Sequence, residues 1–316
     1  MKRSALTLLI IACFCFTLHG AGEKSGSIIT KNPLPVDSGL STLCFAGSTP
    51  LESLVYNPAF VISKDYYIGA SYEQLPLDMT YSSAVYLGPS PFGKGTGLGA
   101  VVKYFNSGSI LKLDEAGNSS DNFNLVNLAG SVVMGFKTGS GSGTGIRLNI
   151  SNEEIDKESS TGFSLDIGSG YETGLFNRQR MVIGFTVLNI GTKIWDEDQP
   201  TGLAGGLLLK HTLSETSLLE YGIGAKYLSG MDYEAGPSLR YTYSLRAGDN
   251  KSFIFKIGAG YYYNNSIKDN GYLNGLRTGL FMEMPWNINM GYSLAFYPWG
   301  NSNKFFVGYR VNSGKN

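Results

Sequence analysis

Lys251-Ser252-Phe253-Ile254-Phe255-Lys256-Ile257-Gly258-Ala259-Gly260-Tyr261-Tyr262-Tyr263-Asn264 is the stretch whose reading decides the fold. Read in steps of two, it separates into unlike faces. Phe253, Phe255, Ile257, Ala259, Tyr261 and Tyr263 are all apolar or aromatic; Ser252, Ile254, Lys256, Gly258, Gly260 and Tyr262 are mixed. A period of two marks a strand, and two unlike faces mark a sheet between two environments. An exported β-sandwich and a membrane barrel both fit that much. Length separates them. At about 3.3 Å per residue, Phe253 to Tyr263 reaches roughly 36 Å. Tilted by about 45°, it stands about 25 Å tall, the height of the apolar band of a transmembrane barrel. Soluble strands are usually only about 5–6 residues long.

The same signature recurs. Trp286, Ile288, Met290, Tyr292, Leu294 and Phe296 form one face, and Val126, Leu128, Val132, Met134 and Phe136 another. Shorter versions are Leu98/Ala100/Val102/Tyr104, Phe163/Leu165/Ile167, Tyr221/Ile223/Ala225/Tyr227 and Phe305/Val307/Tyr309/Val311. Strands are predicted near 65–73, 79–88, 96–106, 124–137, 144–151, 161–173, 179–190, 202–211, 218–229, 233–246, 251–264, 272–284, 286–298 and 303–311. That makes about 14, the even count a closed antiparallel bacterial barrel needs. Connections at Thr138–Gly143, Gly174–Arg178 and Met284-Pro285 are short. Ser107–Phe123, Asn152–Ser160, Gly191–Thr201 and Asn265–Gly271 are longer and more polar. Short periplasmic turns and long external loops give this alternation.

The N-terminal part is different. Residues 1–22 read as a cleaved secretory signal: Lys2 and Arg3, an apolar run from Leu6 to Leu18, then Gly20-Ala21-Gly22. Ile11-Ala12-Cys13 resembles a lipobox that would lipidate Cys13, but Phe14-Cys15-Phe16 continues the apolar run beyond it, which favours cleavage near Gly22. Cleavage leaves only Cys44 and His211 of their kinds, so no internal disulfide can form, and a net charge of about −2. Residues 23–64 carry no sustained period but hold the apolar patches Leu40–Phe45 and Leu51–Val55. They read as a packed plug, and residues 65–316 as the barrel. Between them lies Tyr56-Asn57-Pro58-Ala59-Phe60. Pro58 excludes Asn57 from helical space, and Asn57 is expected to cap a short turn.

Several chemistries are excluded. Charged residues make up 16% of the chain, 25 basic against 25 acidic, so no basic footprint invites nucleic acid. Gly88-Pro89-Ser90-Pro91-Phe92-Gly93-Lys94-Gly95 misses a phosphate loop: Gly95 stands in place of Ser or Thr and no helix follows. The acidic runs Glu153-Glu154 with Asp156, and Asp196-Glu197-Asp198, read as solvated charge in external loops. His211 has no Cys or His companions for zinc. No catalytic residue, metal site or cofactor is expected, and ligand-binding residues are not legible.

Leu54-Val55-Tyr56-Asn57-Pro58-Ala59 resembles the N-terminal signature of FadL-like and PorV/PorQ-like outer-membrane proteins. Tyr104-Phe105-Asn106-Ser107-Gly108 with Asp114-Glu115-Ala116-Gly117, Gly162 to Gly168, Gly184 to Gly191, and Gly291-Tyr292 with Pro298-Trp299-Gly300 and Phe306-Val307-Gly308-Tyr309 resemble further segments in order. The resemblance implies a fourteen-stranded outer-membrane barrel of a diderm bacterium with an N-terminal luminal plug. It makes Tyr56, Asn57, Pro58 and Ala59 the motif of the plug–barrel junction. FadL-like members pass long-chain fatty acids and other hydrophobic compounds; PorV-like members are non-transporting scaffolds or secretion partners. Expected partners are therefore outer-membrane lipid, hydrophobic small molecules and the barrel-assembly machinery, whose signal would lie at Phe306 to Val311. Two departures stand out: Leu43-Cys44-Phe45-Ala46-Gly47 replaces the usual small-residue run, and Phe60 replaces the usual Gly.

Overall fold

The computed structural model describes residues 28, 45–47, 49–113, 119–229, 233–246, 252–261, 263, 275–297 and 300–311. The expected signal peptide, Cys13, Cys44, the Asp114–Gly117 motif, the 265–271 loop, Pro298-Trp299 and the 312–316 tail lie outside the described residues.

A short helix, α1 (Pro50–Tyr56), and a 3₁₀ turn (Pro58–Phe60) precede the sheet. The strands are β1 Tyr66–Gln74, β2 Thr80–Pro89, β3 Thr96–Asn106, β4 Ile110–Leu113, β5 Ser119–Phe123, β6 Leu125–Lys137, β7 Ser142–Ile155, β8 Glu158–Phe176, β9 Gln179–Gly191, β10 Lys193–Ile194, β11 Glu197–Asp198, β12 Gly202–Ser214, β13 Ser217–Leu228, β14 Glu234–Arg246, β15 Ser252–Tyr261, β16 Leu276–Glu283, β17 Ile288–Tyr297 and β18 Gly300–Val311. Fourteen of them close into one antiparallel barrel, as predicted; β4–β5 and β10–β11 are small hairpins outside it. Closure joins β1 to β18, with Tyr66 opposite Val311 and Gln74 opposite Asn303. No barrel strand is left with a free edge. In hydrocarbon, where each unpaired N–H or C=O costs several kcal/mol, closure is what lets strands cross at all. No helix among the described residues is long and apolar enough to cross a membrane.

Burial is inverted relative to a water-soluble protein. Ile257 is 59% exposed, Phe163 57% and Val132 54%, while Ser131, Asn149, Lys103 and Arg147 are buried. Among the described residues, the apolar faces named above point out to lipid and the mixed faces into the lumen. Near the rim of short turns, Trp286 packs edge-on against Phe253 with ring centroids 6.2 Å apart. The pair forms part of an interfacial aromatic girdle.

One expectation is corrected. Asn152–Ser160 is no loop: β7 and β8 continue pairing up to Ile155 opposite Glu158 and turn tightly at Asp156, whose φ is 58°. Beyond the apolar band both faces of a strand meet polar surroundings, so the sequence loses its period of two while the ladder continues. Glu153 consequently lies buried inside the barrel, where it accepts from Asn127 Nδ2 at 3.4 Å, and is not solvated loop charge. The Gly88–Gly95 stretch is the end of β2 and the turn into β3.

Val132 lies in the middle of β6 on the lipid face. Val132→Arg should destabilise the barrel by about 2–4 kcal/mol in denaturant titrations in lipid, whereas Val132→Leu should be nearly neutral.

Candidate functional site: the plugged lumen

The described residues from Phe45 to Val61 lie inside the barrel. Thr49 caps α1, its Oγ1 accepting from Glu52 N at 3.3 Å, with Pro50 at the start of the helix. Pro58 holds Asn57 in extended backbone (φ −146°, ψ 99°), which ends the helix. Asn57 is fully buried and uses its whole side chain. Its Oδ1 accepts from Ala59 N at 3.1 Å; its Nδ2 donates to Phe45 O at 3.1 Å and to Ser169 O of β8 at 3.2 Å. Tyr56 packs edge-on against Phe45 at 5.0 Å, and Pro58 and Ala59 are buried between the turn and the wall.

That wall is made of glycine. A Cβ on Gly97 of β3 would overlap Val61 O, and one on Gly135 of β6 would meet Val61 O and Pro58 O. On β7, Gly143 and Gly145 lie against Ala59 O and Pro58 O; on β8, Gly168 meets Asn57 Oδ1 and Pro58, and Gly170 meets the Phe60 ring. On β9, Gly184 lies under Phe45 O and Asn57 Nδ2. At these positions the strands present backbone, not side chain, to the plug. Phe60 fits because Gly170 and Gly47 leave its ring room; Gly47 also has φ +81°.

Charged groups fix the plug's position along the barrel axis. Arg147 of β7 donates to Leu54 O and Val55 O, at the negative end of α1, and pairs with Asp166 of β8. Asp166 Oδ1 accepts from Asn189 N at 2.6 Å, and Thr186 Oγ1 donates to Tyr56 O at 3.0 Å. Across the lumen, Arg240 of β14 lies between two carboxylates, Glu220 of β13 (2.6 Å) and Glu52 of α1. Sequence reading missed Arg147, Asp166, Arg240, Glu220 and Glu52. The available signal was an ionisable residue at an inward position of an alternating strand, as with Arg147 between Gly145 and Asn149.

Because the plug leans on β3 and β6–β9, space remains on the far side. A cavity of about 360 Å³ lies between the start of α1 and strands β1 and β14–β18. Leu51, Ile254 and Phe281 give it an apolar wall. Its polar wall holds Lys256, which donates to Glu283 Oε1 at 2.7 Å, and Arg310, which reaches Glu283 Oε2 at 3.3 Å. Lys256 also sits 5.1 Å over the Phe281 ring. The size and mixed lining suit a small-molecule site. His211 is remote from it, in β12 opposite Gln179 and Leu219.

No protein-family model and no curated protein matches the chain. Solved structures do. The toluene transporter TodX of P. putida aligns with a TM-score of 0.60 at 11% identity, over 91% of this chain and 100% of that one. CymD, a monoaromatic hydrocarbon channel, aligns with 0.53 at 11% identity, over 89% of this chain and 97% of that one. At such identities the likeness is one of fold: a fourteen-stranded transmembrane barrel.

Asn57→Ala removes three side-chain hydrogen bonds of the plug and none of the barrel ladder. It should weaken plug docking by about 1–3 kcal/mol, read as faster hydrogen exchange at residues 50–60 with unchanged exchange in the strands. Gly168→Val should go further, displacing Pro58 and raising leakage of small hydrophilic solutes from vesicles while heat-modifiable gel mobility still reports a folded barrel.

Proposed function

We propose that this chain is a passive channel for hydrophobic compounds in the outer membrane of a diderm bacterium. The observation that carries the reading is the cavity beside a docked plug. A barrel sealed by its own N-terminal segment is no open aqueous pore, yet it keeps a partly apolar chamber next to the seal. The lipid-facing belt supports insertion by barrel-assembly machinery and contact with membrane lipid. The TodX and CymD structures, hydrocarbon channels by their names, share the fold and so support the class of solute. Long-chain fatty acids, implied by the FadL-like resemblance, belong to the same hydrophobic class. The scaffold alternative drawn from the PorV/PorQ resemblance has no feature of its own among the described residues.

In vesicles whose outer leaflet is lipopolysaccharide, the protein should raise uptake of labelled toluene or labelled fatty acid several-fold over protein-free vesicles. Phe281→Trp, which crowds the cavity, should slow it. Uptake of both solutes no faster than in protein-free vesicles overturns the proposal.

A further inference from the structure

The cavity's polar wall is not closed on itself. Glu52 and Glu220 share one guanidinium, Arg240, and Glu52 Oε2 is left buried without a hydrogen-bond partner. Asn289 is 2% exposed, and its Oδ1 is likewise unpartnered. Lys256 and Arg310 both donate to Glu283, Arg310 also reaches Tyr67 Oη at 3.5 Å, and Arg310 Nε, likewise buried, donates to nothing. All three orphaned atoms belong to residues lining the same cavity, which Leu51, Ile254 and Phe281 line as well. Buried polar groups are normally paired, and leaving one unpaired is costly.

Around the chamber thus lie two unpaired acceptors, one unpaired donor and three apolar side chains. A pure hydrocarbon would cover the wall and leave all three polar atoms unpaired. A carboxylate would satisfy Arg310 but face Glu52. A hydroxyl donates once and accepts, so it pairs one of the two acceptors together with the Arg310 donor, and it carries no charge. We infer that the cavity selects neutral hydroxylated hydrophobic compounds, alcohols or phenols, with the hydroxyl on the Glu52–Asn289–Arg310 side and the skeleton against Leu51, Ile254 and Phe281. The inference rests on the channel reading and names its preferred cargo.

The test is equilibrium binding to the full chain in lipid nanodiscs at neutral pH, corrected for protein-free discs, with three probes of one skeleton: 2-naphthol, naphthalene and 2-naphthoate. The expected result is 2-naphthol bound about ten- to a hundredfold tighter than either of the others. Asn289→Leu should remove most of that preference while leaving naphthalene binding unchanged or slightly stronger. Equal affinity for naphthalene and 2-naphthol in the unaltered protein overturns the inference and shows that water alone serves the polar wall; the channel reading survives. Tightest binding of 2-naphthoate overturns it in favour of an anion site. Binding of none of the three overturns both readings. The probe series on the unaltered chain decides the matter even where Asn289→Leu fails to fold.

Discussion

The structure depends on backbone meeting backbone. Phe45 and the segment from Asn57 to Ile62 lie so close to β3 and β6–β9 that no methyl group fits at Gly97, Gly135, Gly143, Gly145, Gly168 or Gly184. Glycine in a strand costs about 0.5–1 kcal/mol relative to alanine through lost chain entropy. Here that cost falls on adjacent strands at one level of the barrel. What it provides is a flat bed on which carbonyls and one asparagine side chain can settle without displacing the wall. Everything else about the lumen follows: the plug is pressed to one side, and the remaining space lies on the other.

Charge then sets depth. A glycine bed permits sliding; a buried ion pair does not. Arg147 grips the last carbonyls of α1 from the bed side, and Arg240 grips Glu52 from the opposite wall. Buried pairs contribute little net stability, but breaking one partner costs about 3–5 kcal/mol. They therefore act chiefly by forbidding other positions of the helix. The same logic leaves Glu52 with an oxygen to spare, because its cation is already shared.

The barrel was legible in the sequence because lipid enforces alternation over long strands, and the fourteen segments were placed to within a few residues. Legibility ended where lipid ended. Asn152–Ser160 is polar on both faces above the membrane, so paired strand looked like loop. The capped turn at Asn57 could be read locally, since Pro58 dictates it. Its bed could not: glycines scattered from position 97 to 184 become neighbours only when the strands pair in register. The lumen charges were equally hidden, because Arg147 and Asp166 look like ordinary polar-face residues until the barrel folds their face inward.

Chain order adds one more consequence. The glycine bed is complete once β9 has paired, well before the C-terminal strands, whereas the ring shuts only when β18 reaches β1. A plug that had to enter a finished ring would need to thread its rim. A plug laid on the open sheet of β3 and β6–β9 is instead wrapped by the strands that follow. In chain order, the plug and every strand of its bed precede the strands β12–β18 that enclose them.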